Sequence, residues 1–346
     1  MTTLFETDLR EQPAILDRLL SQGRGTSEAL AERIRRQAPR FAVFAARGSS
    51  DNAARYAQYL LGIQNRLVVA LATPSLFTQY QAAPSLADAL VIGISQSGQS
   101  PDIVAVVREA RQQGATSLAI TNDTESPLAT TAELVFPLLA GPERAVAASK
   151  TYTAQLTALA MLSAALRGEE ERWSELRRVP ELVARAIELN AQSVSLAAGF
   201  RDHTRLLVVG RGYNLSTVFE ITLKVKETSG VLADGYSSAD FLHGPKAILD
   251  RTLPVFAVAP GPRVFDDLDG VVRLATENGA PLVVLSERRE LLDVAQVALP
   301  LPSGTPEWLS PIVAVVPGQL WALGLSLARG MQPDAPRGLS KVTQTS

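Results

Sequence analysis

Three serines, two glutamines and a glycine occupy residues 95–100, SQSGQS, between an apolar run, ALVIGI, and a helical pattern, PDIVAVVREARQQG. A helix start exposes unpaired backbone N–H groups and a partial positive charge, so it attracts anions. Ser100 suits the N-cap, and Pro101 the first helical position, where a missing N–H costs nothing. Capping leaves Ser95, Gln96 and Ser97 without a task. Neutral hydroxyl and amide donors at this place suit the oxygens of a phosphate dianion, with no arginine required. A second hydroxyl turn, GSSD at 48–51, follows an earlier apolar run, RFAVFAA, with Ser50 or Asp51 expected as its cap. Either turn alone reads equally well as an ordinary strand-to-helix connection. Two of them after two strands of one sheet point to a ligand shared at the strands' carboxyl ends.

The segment EITLKVKETSG reads as a helix ended by Gly230. Glu220, Lys224 and Glu227, spaced four and three apart, share one of its faces. That face is either a solvated ion-pair stripe, worth about 0.3–0.5 kcal/mol per pair, or a base beside a cation. The second arrangement is what moving a proton on and off carbon requires: a carboxylate near the carbon and a positive group where negative charge develops. The only histidines are His203, in FRDHTRLL, and His243, in FLHGPKAIL. A lone histidine is more often structural than catalytic, and a lysine as near the C-terminus as Lys341 is ordinarily a surface charge.

The elements that would position these residues alternate along the chain. Residues 1–38 read as a helical segment with Leu16, Leu19 and Leu20 on one face. Strands at RFAVFAA, RLVVALAT, ALVIGIS, TSLAITN and ELVFPLL then alternate with helices, among them AARYAQYLLG, closed by Gly62, and SKTYTAQLTALAMLSAALRG, ended by Gly168. After connecting helices at 169–198 the pattern restarts with RLLVVGRGYN and adds strands at PVFAVAPG, APLVVLSE and VAQVALPLP before a last helix and a polar tail. Apolar strands separated by helices predict parallel sheets covered on both faces. The expected fold is therefore α/β with two similar halves, 39–168 and 199–330, followed by a tail at 331–346.

The 346 residues include 46% hydrophobic and 20% charged residues with a net charge of −2, which supports neither a nucleic-acid nor an anionic-membrane partner. With no cysteine and two histidines, disulfides, thiolate metal sites and a histidine-rich metal site are not expected. No apolar run approaches the roughly 18 residues of a membrane span, and the start lacks the pattern of a signal peptide. A cytoplasmic enzyme without metal or other cofactor is the expectation.

ARGSSDNAARYAQYL, ISQSGQSPDIVAVVREARQQGATSLAITN, AVAASKTYTAQLTAL, VVGRGYNLSTVFEITLKVKETSGVLADGYSSADFLHGPKAILD and DAPRGLSKVTQTS together resemble the SIS (sugar isomerase) family, above all the isomerase half of glucosamine-6-phosphate synthase. The resemblance runs from about residue 40 to the end. It implies two tandem SIS domains, each a flavodoxin-like three-layer sandwich, with a sugar 6-phosphate gripped by Ser95, Gln96, Ser97 and Ser100 and a further sugar contact at Ser50. It also implies that Glu227 and Lys224 are catalytic. His243 would open the sugar ring at a neighbouring subunit's site, which implies a homodimer. Lys341 would form an imine with the sugar carbonyl beneath a folded tail. The chain departs from the family at Ala148, where the pattern has a serine, and Ser149 is the neighbour that would replace that contact.

The synthase releases ammonia from glutamine with a cysteine next to the initiator methionine; here Thr2 stands there and no cysteine occurs. The same residues run in reverse would make a glucosamine-6-phosphate deaminase. The alternatives are a fructosamine-6-phosphate deglycase, another phosphosugar isomerase, or a non-catalytic phosphosugar sensor. For the last, residues 1–40 are too short to be the DNA-binding domain such sensors carry.

Overall fold

The structure, a computed structural model, describes residues 2–341, so residues 342–346 of the expected tail lie outside the described residues. Two helices come first, α1 (Leu4–Arg10) and α2 (Gln12–Gln37), with Leu16 and Leu19 fully buried as their spacing predicts. There follow β1 (Phe41–Ala45), α3 (Ser49–Asn65), β2 (Val68–Leu71), α4 (Ser75–Thr78), β3 (Ala89–Ile94), α5 (Pro101–Gln112), β4 (Thr116–Thr121), α6 (Pro127–Thr131), β5 (Leu134–Pro137) and α7 (Lys150–Arg167). The five strands form one parallel sheet in the order β2-β1-β3-β4-β5. Val43, Ala45, Val91 and Ala119 pack against Ile103 and Val107 of α5 and Leu128 of α6. The alternate residues Ala42, Phe44, Leu90 and Ile92 are buried as well, so both faces are covered and the strands read as continuous apolar runs.

The second half repeats the plan. Helices α8 (Glu170–Leu176), α9 (Val179–Leu189) and α10 (Ser193–Leu196) precede β6 (Arg205–Gly210), α11 (Leu215–Ser229), β7 (Leu232–Ser237), α12 (Ser238–Leu242), β8 (Val255–Ala259), α13 (Phe265–Glu277), β9 (Leu282–Ser286), α14 (Arg289–Leu292), β10 (Val297–Pro300) and α15 (Ser310–Ala328). This sheet is also parallel, in the order β10-β9-β8-β6-β7, which is the first order read from the other edge. Residues 14–143 and 150–178 form one compact unit with Ser340 and Lys341; residues 2–13, 144–149 and 179–339 form the other.

Three expectations are corrected. Helix α3 does not close at Gly62: it continues to Asn65, and Arg66 takes the left-handed conformation at φ 58°. Asn65 exchanges hydrogen bonds of 2.6 and 3.1 Å with Ser163 of α7, a tertiary contact that holds the extra turn. Strand β7, LADGYS, was not among the expected strands; it lies at a sheet edge, where much of its surface stays exposed and an apolar run is not needed. Finally, one stretch does reach membrane-span length and apolarity. Glu307–Ala328 has a window mean hydropathy of 1.6, but 89% of that window is buried within the protein, as befits a core helix apolar on all sides.

Helix α15 packs directly on α11. A Cβ added at Gly318 would lie 2.5 Å from both Cγ1 and Cδ1 of Ile221, so only glycine allows this approach. Gly318→Ala is expected to lose about 1–3 kcal/mol by overpacking. Combining it with Ile221→Ala should cost less than the sum of the two single changes, measured by urea unfolding.

Candidate functional site

Strand order reverses between β1 and β3, which pair with Phe44 opposite Ile92 and Ala45 opposite Gly93. The turns GSSD and SQSGQS therefore leave adjacent strands at one sheet edge, the place where open parallel sheets bind ligands. The second turn is fastened by its backbone. Ser95 is buried, donates its N–H to Ile120 O at 3.1 Å and accepts from Gly98 N at 3.1 Å on Oγ. Gln96 O accepts from Asn122 N at 3.2 Å, and Gly98 O from Leu128 N at 3.1 Å. Gly98 has φ 63°, and a Cβ there would sit 2.0 Å from Ser126 Oγ, so no other residue fits.

Ser100 and Pro101 occupy the N-cap and the first turn of α5 as expected, but the Ser100 hydroxyl makes no capping bond. Asp102 does that work: its Oδ1 accepts from Ile103 N at 2.9 Å. The Ser100 hydroxyl thus makes no bond to the helix start, and among the described residues Ser97 Oγ is engaged only by Gln99 N at 3.3 Å. In the first turn the expected cap is also corrected. Gly48, with φ 55°, is the N-cap of α3, and Ser50 and Asp51 lie inside the helix's first turn. Buried Ser50 instead accepts from Gln155 Nε2 of α7 at 3.0 Å, which leaves its own proton available. Gln155 carried no signal in the sequence, where it reads as one polar position of a core helix.

Lys341 is fixed by a residue the sequence did not suggest. Its Nζ lies 3.2 Å from Glu143 Oε2, a carboxylate whose side chain is fully buried. Glu143 also accepts from Thr151 N at 3.1 Å and from Thr151 Oγ1 at 2.6 Å, in the first turn of α7. The carboxylate thus stands at a helix N-terminus, where negative charge is favoured, and holds an amine in turn. Nothing in the spacing GPERAVAASKT marks it, because the bond runs between a loop, a helix start and a residue 198 positions away.

In the other unit, Glu220, Lys224 and Glu227 form no solvated stripe. Lys224 is 1% and Glu220 0% exposed, while Glu227 keeps 22%. Lys224 Nζ bonds Glu227 Oε2 directly and lies 3.6 Å from Glu220 Oε1. A buried ammonium is thus held between two carboxylates, one sealed in and one reaching the surface. Gly230 ends this helix with φ 69°, as expected. His243 follows α12, is exposed, and its ring has no hydrogen bond among the described residues. His203 lies 3.3 Å from Thr252 O and against the Phe200 ring, which fits the structural role expected of it.

The segment carrying Ala148 is pinned in the same unit. Asp8 Oδ2 accepts from Arg144 N at 2.8 Å and Ala145 N at 2.9 Å, and Val146 N donates to Asp334 O at 3.1 Å. Ala148 retains some exposure, whereas Ser149 is wholly buried. Ser149 therefore has no exposed hydroxyl with which to replace the missing serine. Among the described residues no three of His, Asp or Glu gather closely enough to hold a metal ion.

Comparison with known proteins adds the following. The model of the SIS domain matches residues 36–165 and 199–328. The glutamine–fructose-6-phosphate aminotransferase (isomerizing) of Thermococcus kodakarensis is 36% identical over 344 residues, covering 96% of this chain and 56% of that protein. The counterpart from Brucella abortus is 31% identical over 85% of this chain and 50% of its own length, so the chain spans about half the length of these relatives. Among solved structures, the C-terminal domain of glucosamine-fructose-6-phosphate aminotransferase from Francisella tularensis matches with a TM-score of 0.89 at 24% identity, covering 97% of this chain and 99% of that one. Glucosamine-6-phosphate deaminase from Thermotoga maritima matches with a TM-score of 0.80 at 18% identity, covering 99% and 100%; both likenesses are of fold.

Removing the buried cation tests the charge array. Lys224→Met is expected to destabilise the protein by about 3–5 kcal/mol, because Glu220 then remains buried without it. Adding Glu220→Gln should recover part of that loss in chemical denaturation.

Proposed function

This chain belongs to the SIS domain family, and from that premise we propose that it is an isomerising enzyme of phosphorylated sugars that converts glucosamine 6-phosphate and water into fructose 6-phosphate and ammonia. The observation that carries the reading is the buried Lys224 ammonium bound to a carboxylate, Glu227, that still reaches the surface. That is the equipment for moving a proton between neighbouring carbons while charge develops on the adjoining oxygen or nitrogen. The two hydroxyl turns at the strand reversal support assigning the phosphate to Ser95, Gln96, Ser97, Ser100 and Ser50.

The reaction balances without an external oxidant. His243 shuttles the proton that opens the ring, since an imidazole can both accept and donate one. Glu227 takes the proton from C2 and returns it at C1, turning the 2-amino aldose into a 2-imino ketose. The Lys341 amine replaces ammonia at C2, and water then frees the ketone. To attack, Lys341 must first lose a proton, and Glu143 at 3.2 Å is an acceptor for it. The proposed setting is a cytoplasmic homodimer in which His243 serves the partner's site.

With glucosamine 6-phosphate, ammonia and fructose 6-phosphate are expected in equal amounts; an enzyme that isomerises phosphosugars without releasing ammonia would sink the deaminase reading. Glu227→Gln keeps size and hydrogen bonding but cannot take the proton, so kcat should fall roughly 100-fold or more. Solvent deuterium should then stop appearing at C1.

The shared site makes its own prediction. Co-expressing His243→Ala with Glu227→Gln should restore roughly a quarter of wild-type activity, since about half of randomly assorted dimers carry one intact site. Purified hybrids that stay inactive would assign His243 to its own chain.

A further inference from the structure

Neither hydroxyl turn contains a lysine, and the phosphate cradle read from the sequence consists of neutral donors. One arginine nevertheless stands at it. Arg47 directly precedes the Gly48 cap, and its carbonyl accepts from Ser50 N at 3.1 Å and Asp51 N at 3.3 Å, which fixes its backbone at the start of α3. Its side chain crosses to the neighbouring turn, where Nε donates to Asp102 Oδ2 at 2.8 Å. The two ends of the pair differ sharply: Asp102 is 2% exposed and Arg47 52%.

An arginine that only stapled the two turns together would be expected to spend its fork on the carboxylate, as bidentate pairs do. Here Nε alone is used. The two Nη groups have no hydrogen-bond partner among the described residues, and half the side chain stays in water. Asp102 also raises an electrostatic difficulty that Arg47 removes. A buried carboxylate in the first turn of α5 opposes the helix-end charge that would attract a dianion. With Arg47 on it the pair is neutral, and its positive end is the exposed one. The other acid of the two turns, Asp51, is paired separately, with Arg55 Nη2 at 3.1 Å.

We propose that Arg47 is a phosphate-binding residue of this site: Asp102 holds it by Nε, and the free Nη groups bind the substrate's phosphate dianion beside the hydroxyls of Ser95, Ser97 and Ser100. Arg47 supplies the full positive charge that the hydroxyl cradle lacks, and Asp102 is its positioning residue. The inference rests on the reading of these turns as a phosphate site and adds to it.

Titration calorimetry with fructose 6-phosphate, and with unphosphorylated fructose as control, tests it. Arg47→Ala should weaken fructose 6-phosphate binding by about 10- to 100-fold, the range of a lost charge-assisted pair, and should also lower the melting temperature, because Asp102 then stays buried without its partner. Arg47→Lys should recover only part, since it keeps the charge and loses the fork. The double variant Arg47→Ala with Asp102→Asn separates direct contact from mere neutralisation of Asp102. Direct contact leaves it at least 10-fold weak, whereas recovery to wild-type affinity would overturn the proposal. So would Arg47→Ala binding within about twofold of wild type while Ser97→Ala is impaired. If neither variant matters, or the wild type binds no phosphosugar, the turns are not a phosphate site and both readings fall together.

Discussion

The reversal of strand order between β1 and β3 is the constraint on which the placement of the two hydroxyl turns depends. Where two neighbouring parallel strands send their connections to opposite faces of a sheet, no chain covers the ends of those strands. The space is kept open by topology, and the residues that follow β1 and β3 border it. Here those residues are Arg47 to Asp51 and Ser95 to Asp102. Their hydroxyls and the arginine are adjacent because the strands are adjacent, although nearly fifty residues separate the turns in the chain. The second sheet repeats the reversal at β6 and β8, and the helix that follows β6 carries Glu220, Lys224 and Glu227.

A second pattern recurs at three places, each within one unit. Asp102 is sealed in and Arg47 reaches water; Glu143 is sealed in and Lys341 is partly exposed; Lys224 is sealed in and Glu227 is partly exposed. A buried charge must be paired or it destabilises the fold, so each buried member demands a partner at a defined spot. The partner's long side chain loses freedom, and its reactive end becomes a fixed feature of the surface. The buried group anchors, and the exposed group is held where it meets water. For Lys341 that partner is Glu143, 198 positions away in the chain.

Much of this molecule was legible in its residues. Apolar runs of four to six residues between amphipathic stretches specify parallel strands covered on both faces, since only residues buried on both sides need to be uniformly apolar. The helix stops at Gly168 and Gly230 were readable because a left-handed residue favours glycine whatever the surroundings. The face shared by Glu220, Lys224 and Glu227 followed from helical spacing, and the clustering of hydroxyls at two helix starts followed from short-range pattern. What failed to be legible failed for one reason. Whether the charged face met water or core, and where α3 stopped, both depend on atoms from distant parts of the chain.

The division is physical. Local sequence determines what the backbone does over a few residues, since propensity, capping and periodicity act over one or two turns. It therefore determined the alternating architecture and nominated the chemistry of the turns and of α11. Tertiary structure alone decided the pairings Arg47–Asp102, Lys341–Glu143 and Ser50–Gln155, which join residues 55, 198 and 105 positions apart. No local signal marks such partners, because what selects them is the cost of leaving a buried polar group unpaired, and that cost exists only once the core has closed around it.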